Sequence, residues 1–251
     1  MTLERIAVID TEHGGVTVLH DKSTGVVRYV QHFCSQSEAD KDGVSLATYI
    51  HAIFGLLMQA RCQRVLLIGC GGGTLATMLR GARFNVTVVD VNPWSFQIAR
   101  DYFCLPPDVE CHVADGSEYL LACGREWDAI VLDAYHRGEI PAQFRSREFL
   151  ALVAARLSTP NGCFFANVCS SDLTAQAADA LALALSKHMA NPRILDCDAL
   201  IHCNAIVMAG DVANLRRPKL LVPPRRQAKF ISLCLDRFAI REPTKLSKRI
   251  R

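Results

Sequence analysis

Three apolar runs of the chain each close on an aspartate: Val86-Thr87-Val88-Val89-Asp90, His112-Val113-Ala114-Asp115 and Ile130-Val131-Leu132-Asp133. An ionised carboxylate accepts hydrogen bonds and donates none, so such residues suit a ligand rich in hydroxyl and amino hydrogens. Upstream, Val65-Leu66-Leu67-Ile68-Gly69-Cys70-Gly71-Gly72-Gly73-Thr74-Leu75 carries an apolar strand through a glycine turn into a helix, the setting of a nucleotide-binding loop. Gly69 permits the tight turn, and Gly71 and Gly73 let backbone approach a ligand. Asp90 lies about 20 residues beyond that turn, where a carboxylate at the edge of the neighbouring strand can accept both hydroxyl hydrogens of a ribose. Asp115, at the next strand end, can accept from the exocyclic amine of adenine. The glycines follow G-x-G-x-G rather than G-x-G-x-x-G, which leaves no pyrophosphate cradle, and the order of acids fits an adenosyl sulfonium better. Asp133 closes the third of these runs on the same rim.

These groups converge only if the segments alternate as strands and helices of a parallel sheet, whose ligands bind at the carboxyl edge of the strands. The pattern predicts strands over 64–68, 85–89, 109–113, 129–132 and 163–168, interleaved with helices over 74–80, 93–103, 117–123, 146–157 and 173–189. Segments 193–197 and 205–209 would complete a seven-stranded sheet as an antiparallel hairpin at its edge. Ahead of it, apolar runs at 6–9, 16–19 and 26–30 are separated by Glu12-His13-Gly14-Gly15 and Asp21-Lys22-Ser23-Thr24-Gly25, which predicts a small antiparallel meander. A polar loop over 35–43 leads to a helix over 44–60, where Leu46, Ile50, Ile53, Phe54 and Leu57 recur at helical spacing.

The 251 residues, half of them apolar and 21% charged, allow one substantial α/β domain with appendages and exclude a mainly disordered chain. The expected parts are the meander and its leading helix over 1–60, a nucleotide-binding domain over 61–215 and a basic tail over 216–251. No apolar run reaches the roughly 18 residues of a membrane-spanning helix, and Met1-Thr2-Leu3-Glu4-Arg5 lacks a secretory profile, so a soluble cytoplasmic protein is expected. Eleven cysteines, an odd number without any C-x-x-C, and eight scattered histidines predict neither a disulfide framework nor a metal site. Residues 216–251 hold twelve Lys or Arg against Asp236 and Glu242, a charge of +10 that leaves −7 on the rest. Such a tail could hold nucleic acid by counterion release. Phe230, Ile231, Leu233, Leu235 and Phe238 among its charges favour instead a helix docked on the acidic body.

From about Gln36 to Val168 the chain resembles the spermidine synthase family, within the class I S-adenosylmethionine-dependent methyltransferase fold. The glycine motif, Asp90, Asp115-Gly116, Asp133-Ala134-Tyr135, Ile140-Pro141, Arg147-Glu148-Phe149-Leu150 and Leu157-Ser158-Thr159-Pro160-Asn161-Gly162 carry the likeness, with the meander, Gln36-Ser37 and Tyr49 before them. The resemblance implies a Rossmann-like, mostly parallel sheet with an N-terminal β meander. It implies a transferase that moves an aminopropyl or methyl group from decarboxylated S-adenosylmethionine or S-adenosylmethionine to an amine, with no metal. Gln36, Gly69, Gly71, Gly73, Asp90, Val91, Asp115 and Gly116 would hold that co-substrate; Asp133, Tyr49, Tyr135 and His136 would form the catalytic end at the amine acceptor. A homodimer built partly through the meander is also implied. His51 is read either as an acceptor-site residue or as a packed histidine, and Trp94 either as stacking near the adenine or as a core or surface residue.

Three positions depart from the patterns. Gly72 stands where aminopropyltransferases have an aspartate for the substrate's primary amine, and His136 where their D-x-x-D has its second acid. Leu67 replaces the acid with which ordinary methyltransferases bind the methionine amine. A catalytically silent adenosine-binding protein with a partner-docking tail, and an RNA methyltransferase guided by that tail, therefore stay open beside the transferase.

Overall fold

Alternating apolar residues bury one face of the N-terminal strands. In the structure, a computed structural model that describes residues 3–32, 34–60, 62–136, 138–169, 175–197 and 204–244, β1 (Leu3–Ile9), β2 (Val16–Asp21), β3 (Val26–Gln31) and β4 (Cys34–Ala39) form an antiparallel sheet in sequence order. Val16, Val18 and Tyr29 pack with Ile98 and Phe103 of the main domain in a small core. The fourth strand corrects the expectation of a loop over 35–43. Ser35, Gln36, Ser37 and Glu38 are too polar to show an apolar period, yet β4 pairs along β3 as an edge strand. That pairing carries Ser37 to the glycine turn, where its Oγ accepts the Gly72 N–H at 2.9 Å.

Helix α1 (Thr48–Gln59) starts later than expected and buries Ile50, Ile53, Phe54, Leu56 and Leu57. Then follow β5 (Arg64–Ile68), α2 (Thr74–Gly81), β6 (Asn85–Asp90), α3 (Pro93–Tyr102), β7 (Glu110–Val113), α4 (Gly116–Ala122), β8 (Ala129–Leu132), α5 (Arg147–Arg156), β9 (Cys163–Val168), α6 (Ala175–Leu185), β10 (Arg193–Asp196), β11 (Ala205–Gly210), α7 (Ala228–Asp236) and β12 (Ala239–Arg241). The sheet order is β12-β10-β11-β9-β8-β5-β6-β7, parallel from β9 to β7 and antiparallel beyond. It has eight strands rather than the expected seven, because β12 pairs with β10. A three-residue strand inside a basic segment leaves no apolar signature. Alternate strand residues face two cores: Leu66, Ile68, Ile130 and Phe164 pack with residues of α4, α5 and α6, and Val65, Leu67, Val131 and Phe165 with residues of α1, α2 and α7.

The tail is folded into this body as far as it is described. Ile231, Cys234, Leu235 and Phe238 are buried, whereas Phe230 and Leu233, expected on the same docking face, are exposed. Arg225 pairs with Asp42 and donates its N–H to Asp40 Oδ2 at 2.8 Å, while Arg241 bridges Asp179 and Asp196. Lys245, Lys248, Arg249 and Arg251 lie outside the described residues, as do Cys203 and the expected helix start at Leu173. Among the described residues no helix is long and apolar enough to cross a membrane.

Candidate active site

Strand order reverses at β5, with β6 and β7 on one side and β8 and β9 on the other. Loops leaving the carboxyl ends of β5 and β8 therefore diverge and open a crevice. The crevice is a cavity of about 630 Å³ between these loops and the meander. Its lining includes Gln36, Tyr49, Gly69, Gly71, Gly73, Asp90, Val91, Asp115, Gly116, Asp133, Tyr135 and His136, every one of the residues expected there from the sequence. Gly69 turns the chain at φ +101°, and a Cβ on it would lie 2.2 Å from the Asp133 carbonyl oxygen. No other residue fits so close to that backbone.

Asp90 is already oriented by main-chain N–H groups of the glycine turn and of its own loop. Its Oδ2 accepts the Cys70 N–H and its Oδ1 the Asn92 N–H, both at 2.8 Å. Burial raises its carboxyl pKa, and those N–H groups pull it back down. Each oxygen keeps a lone pair with which to accept a hydroxyl hydrogen. Val91 follows as an apolar part of the wall. Trp94, in the first turn of α3, is 40% exposed and outside the lining, so it is a surface residue. Asp115 has a structural duty as well. Its Oδ1 caps α4 by accepting the Ser117 and Glu118 N–H groups at 2.8 and 3.2 Å, and Gln143 Nε2 donates to its Oδ2 at 3.3 Å. Gln143 belongs to a 3-10 turn, Ala142–Arg145, that the sequence pattern does not reveal.

The other end of the cavity centres on Asp133. Its Oδ1 accepts from Asn167 Nδ2 at 2.7 Å and its Oδ2 from the Tyr49 hydroxyl at 3.2 Å. Burial raises the Asp133 pKa, and these two hydrogen bonds oppose it. Burial and the Asp133 charge together hold the Tyr49 phenol well above its ordinary value, so it remains a hydrogen-bond donor. Tyr135 offers the cavity its ring, because its hydroxyl is committed elsewhere: it donates to the Asn167 carbonyl at 2.6 Å and accepts the Cys169 N–H at 2.8 Å. His136 is exposed, with its ring 6.2 Å from that of His32. Its backbone bridges Glu139, which places Glu139 in the lining. His51 is the packed histidine, buried outside the cavity with Nε2 2.7 Å from the Ser45 carbonyl oxygen.

Among the described residues of the lining, the charged side chains are Asp90, Asp115, Asp133 and Glu139 against the guanidinium of Arg145. The cavity is therefore electronegative and attracts cations. Among the described residues, no group of three or more His, Cys, Asp or Glu could hold a metal ion.

No family model matches the chain. Over 208 residues it is 30% identical to the polyamine aminopropyltransferase of Neisseria meningitidis, a stretch that covers 79% of this chain and 74% of that protein. The chain belongs to the polyamine aminopropyltransferase family. Two other curated aminopropyltransferases match it over only 31% and 41% of their own length. An eEF1A lysine and N-terminal methyltransferase homolog of Drosophila pseudoobscura is 30% identical over 122 residues, 44% of this chain and 18% of that protein. The crystal structure of a probable spermidine synthase from Corynebacterium glutamicum superposes with a TM-score of 0.76 over 94% of this chain and 90% of that one; at 16% identity this is a likeness of fold.

Within the aminopropyltransferase family this chain departs at two places, and the geometry gives each a physical form. Gly72 is buried outside the lining, and a Cβ there would meet both Phe103 Cδ1 and Ser37 Cβ at 2.9 Å. An acid cannot occupy position 72 unless both neighbours move. At His136 the acid is missing, and Glu139 stands three positions on in the same wall. Glu139 and Asn167 escaped the sequence reading, although an amide inside the apolar run 163–168 was a usable signal.

Proposed function

We propose that this protein transfers an aminopropyl group from decarboxylated S-adenosylmethionine to an amine of the polyamine class. The observation that carries the reading is Asp133, a carboxylate with one neutral hydrogen-bond donor on each oxygen, set in an electronegative cavity beside the glycine turn. Asp90 and Asp115 hold the ribose and the adenine amine, the backbone at Gly69, Gly71, Gly73 and Gly116 allows close approach, and Gln36 and Val91 complete the wall. A protonated amine has no lone pair. Asp133, its pKa raised by burial, orients the amine and accepts its proton, freeing the lone pair that forms the new N–C bond as the C–S bond breaks and methylthioadenosine leaves. What remains is alignment, with the reacting atoms about 3–3.5 Å apart. Tyr49 keeps the carboxylate in place, and the ring of Tyr135 and the edge of His136 bound the acceptor side.

A second reading, methyl transfer from S-adenosylmethionine, is favoured by the closed position 72, which removes the family's acid for a substrate amine. Incubation of the full chain with each labelled sulfonium and a panel of amines decides between them. Labelled polyamine together with methylthioadenosine is the expected result, and a methylated product would install the second reading. Tight binding of the sulfonium with no transfer to any acceptor would overturn both and leave a silent binding protein.

The same reading makes the protein a cytoplasmic homodimer. Its support is β1, at the open edge of the meander, which exposes Leu3, Ile6 and Val8. A monomer in sedimentation equilibrium would remove that part. Nucleic acid is not favoured as a partner, since Arg225 and Arg241 are engaged by carboxylates of the body.

A further inference from the structure

Strand β9 reads Cys163-Phe164-Phe165-Ala166-Asn167-Val168 and is buried along its whole length. Asn167, its one polar side chain, is 1% exposed. A buried amide destabilises the fold unless its polar atoms find partners, and both ends of this one do. Its Nδ2 donates to Asp133 Oδ1 at 2.7 Å, and its Oδ1 accepts from Asn204 Nδ2 at 2.8 Å. The Asp133 carboxylate, an acceptor only, decides which way the amide faces, and Asn204 holds that arrangement by donating to the Asn167 oxygen. The main-chain carbonyl of the same residue receives the Tyr135 hydroxyl.

We propose that Asn167, held by Asn204, is a positioning residue for Asp133, fixing the plane of the carboxylate that receives the amine. Only the amine in that statement rests on the transferase reading; the carboxylate geometry stands apart from it. Among the described residues, the titratable and charged groups around the carboxylate are Tyr49 on α1, Tyr135, His136 and Glu139 on its own loop, Arg145 further along the same wall, Cys169 beyond β9, Cys70 in the glycine turn and Asp90 across the cavity. Burial raises the Asp133 pKa and the Asn167 hydrogen bond opposes that rise, so loss of the amide moves the titration further upward.

Asn167→Ala, and Asn204→Ala as a change one hydrogen bond further out that leaves β9 untouched, are tested in the full chain. NMR of carboxyl-labelled aspartate reads Asp133 without any turnover. The expected midpoint rises by about one pH unit in Asn167→Ala and by less in Asn204→Ala. In steady-state kinetics kcat/KM for the amine falls about tenfold, while affinity for methylthioadenosine is unchanged. In an Asp133→Asn background the Asn167 change then costs almost nothing more, because it acts through the group already altered. A carboxyl titration that does not move in the folded variants, or losses that simply add in the double mutant, would overturn the inference. A wild type without transferase activity whose carboxyl titration still shifts in the variants would overturn the transferase reading and uphold the inference.

Discussion

Asp90→Asn separates what this carboxylate does for the fold from what it does for a ligand. In the chain alone, one oxygen accepts the Cys70 N–H and the other the Asn92 N–H. Asparagine keeps one acceptor oxygen, but its amide nitrogen can satisfy neither N–H, so one of the two contacts and the whole charge are lost. A hydrogen bond to a charged acceptor is worth about 1.5–3 kcal/mol. A ribose hydroxyl deprived of it should bind about tenfold to a hundredfold more weakly. Alanine would leave both backbone N–H groups without the carboxylate and cloud the result with a loss of stability. The assay is calorimetric titration of the full chain with methylthioadenosine, which carries the ribose but neither the sulfonium nor an amine tail. Asp133→Asn serves as the control and should bind this ligand as the wild type does. An Asp90→Asn protein that melts cooperatively and binds methylthioadenosine with unchanged affinity would refute the placement of a ribose on Asp90.

Tyr49→Phe removes the hydroxyl from Asp133 Oδ2 and should lower kcat about tenfold, with methylthioadenosine affinity unaltered in the same calorimetric assay. Glu139→Gln should raise KM for a diamine by up to about fivefold, the worth of a solvent-exposed ion pair, and initial-rate measurements across amine concentrations will show whether it does. Gly72→Ala forces a Cβ against Phe103 and Ser37; calorimetric melting should show a loss of about 1–3 kcal/mol, part of it regained when Phe103→Leu opens the space. Asp128 gives the pH dependence. Burial alone would raise its carboxyl, but the Arg64 guanidinium and the Arg64 and Gln63 N–H groups hold it at about 2. Because the folded value lies below the ordinary 3.8, the stability from this group is complete above that value and is lost as pH falls toward 2. Urea unfolding should show this acid loss flattened in Asp128→Asn.

The strands buried on both faces could be read residue for residue. Segments 64–68, 129–132 and 163–168 have the bounds of β5, β8 and β9 because such strands are unbroken apolar runs. β4 and β12 could not be read in this way. They are edge strands held by pairing with a neighbour, so their own residues carry no period. The same division runs through the site. Asp90, Asp115 and Asp133 were legible because the sheet dictates where strand ends go. Ser37, marked in the sequence only by the family likeness, arrives through a strand pairing, and Glu139 through a local bridge; neither leaves a period in the chain. His51 illustrates a simpler rule: residues two apart on a helix do not share a face, so Tyr49 lines the cavity and His51 is buried behind it.

The closed position at Gly72 links the meander to the selectivity of the site. Phe103, fully buried, and Ser37, on β4, occupy the volume that an acid at 72 would need, and Phe103 is also part of the core on which the meander packs. The contact that seats the meander therefore excludes an acid from the glycine turn. In the proposed reading a cationic substrate tail is then met by Asp133 and Glu139, after β8, with Arg145 as the guanidinium among the described residues of the lining. A tail that carries a carboxylate beside its amine brings negative charge toward these two carboxylates, and like charges repel. Decarboxylated S-adenosylmethionine has no such group. In the proposed reading it is therefore the residues after β8, rather than the glycine turn, that favour the decarboxylated form although the family's own acid is missing.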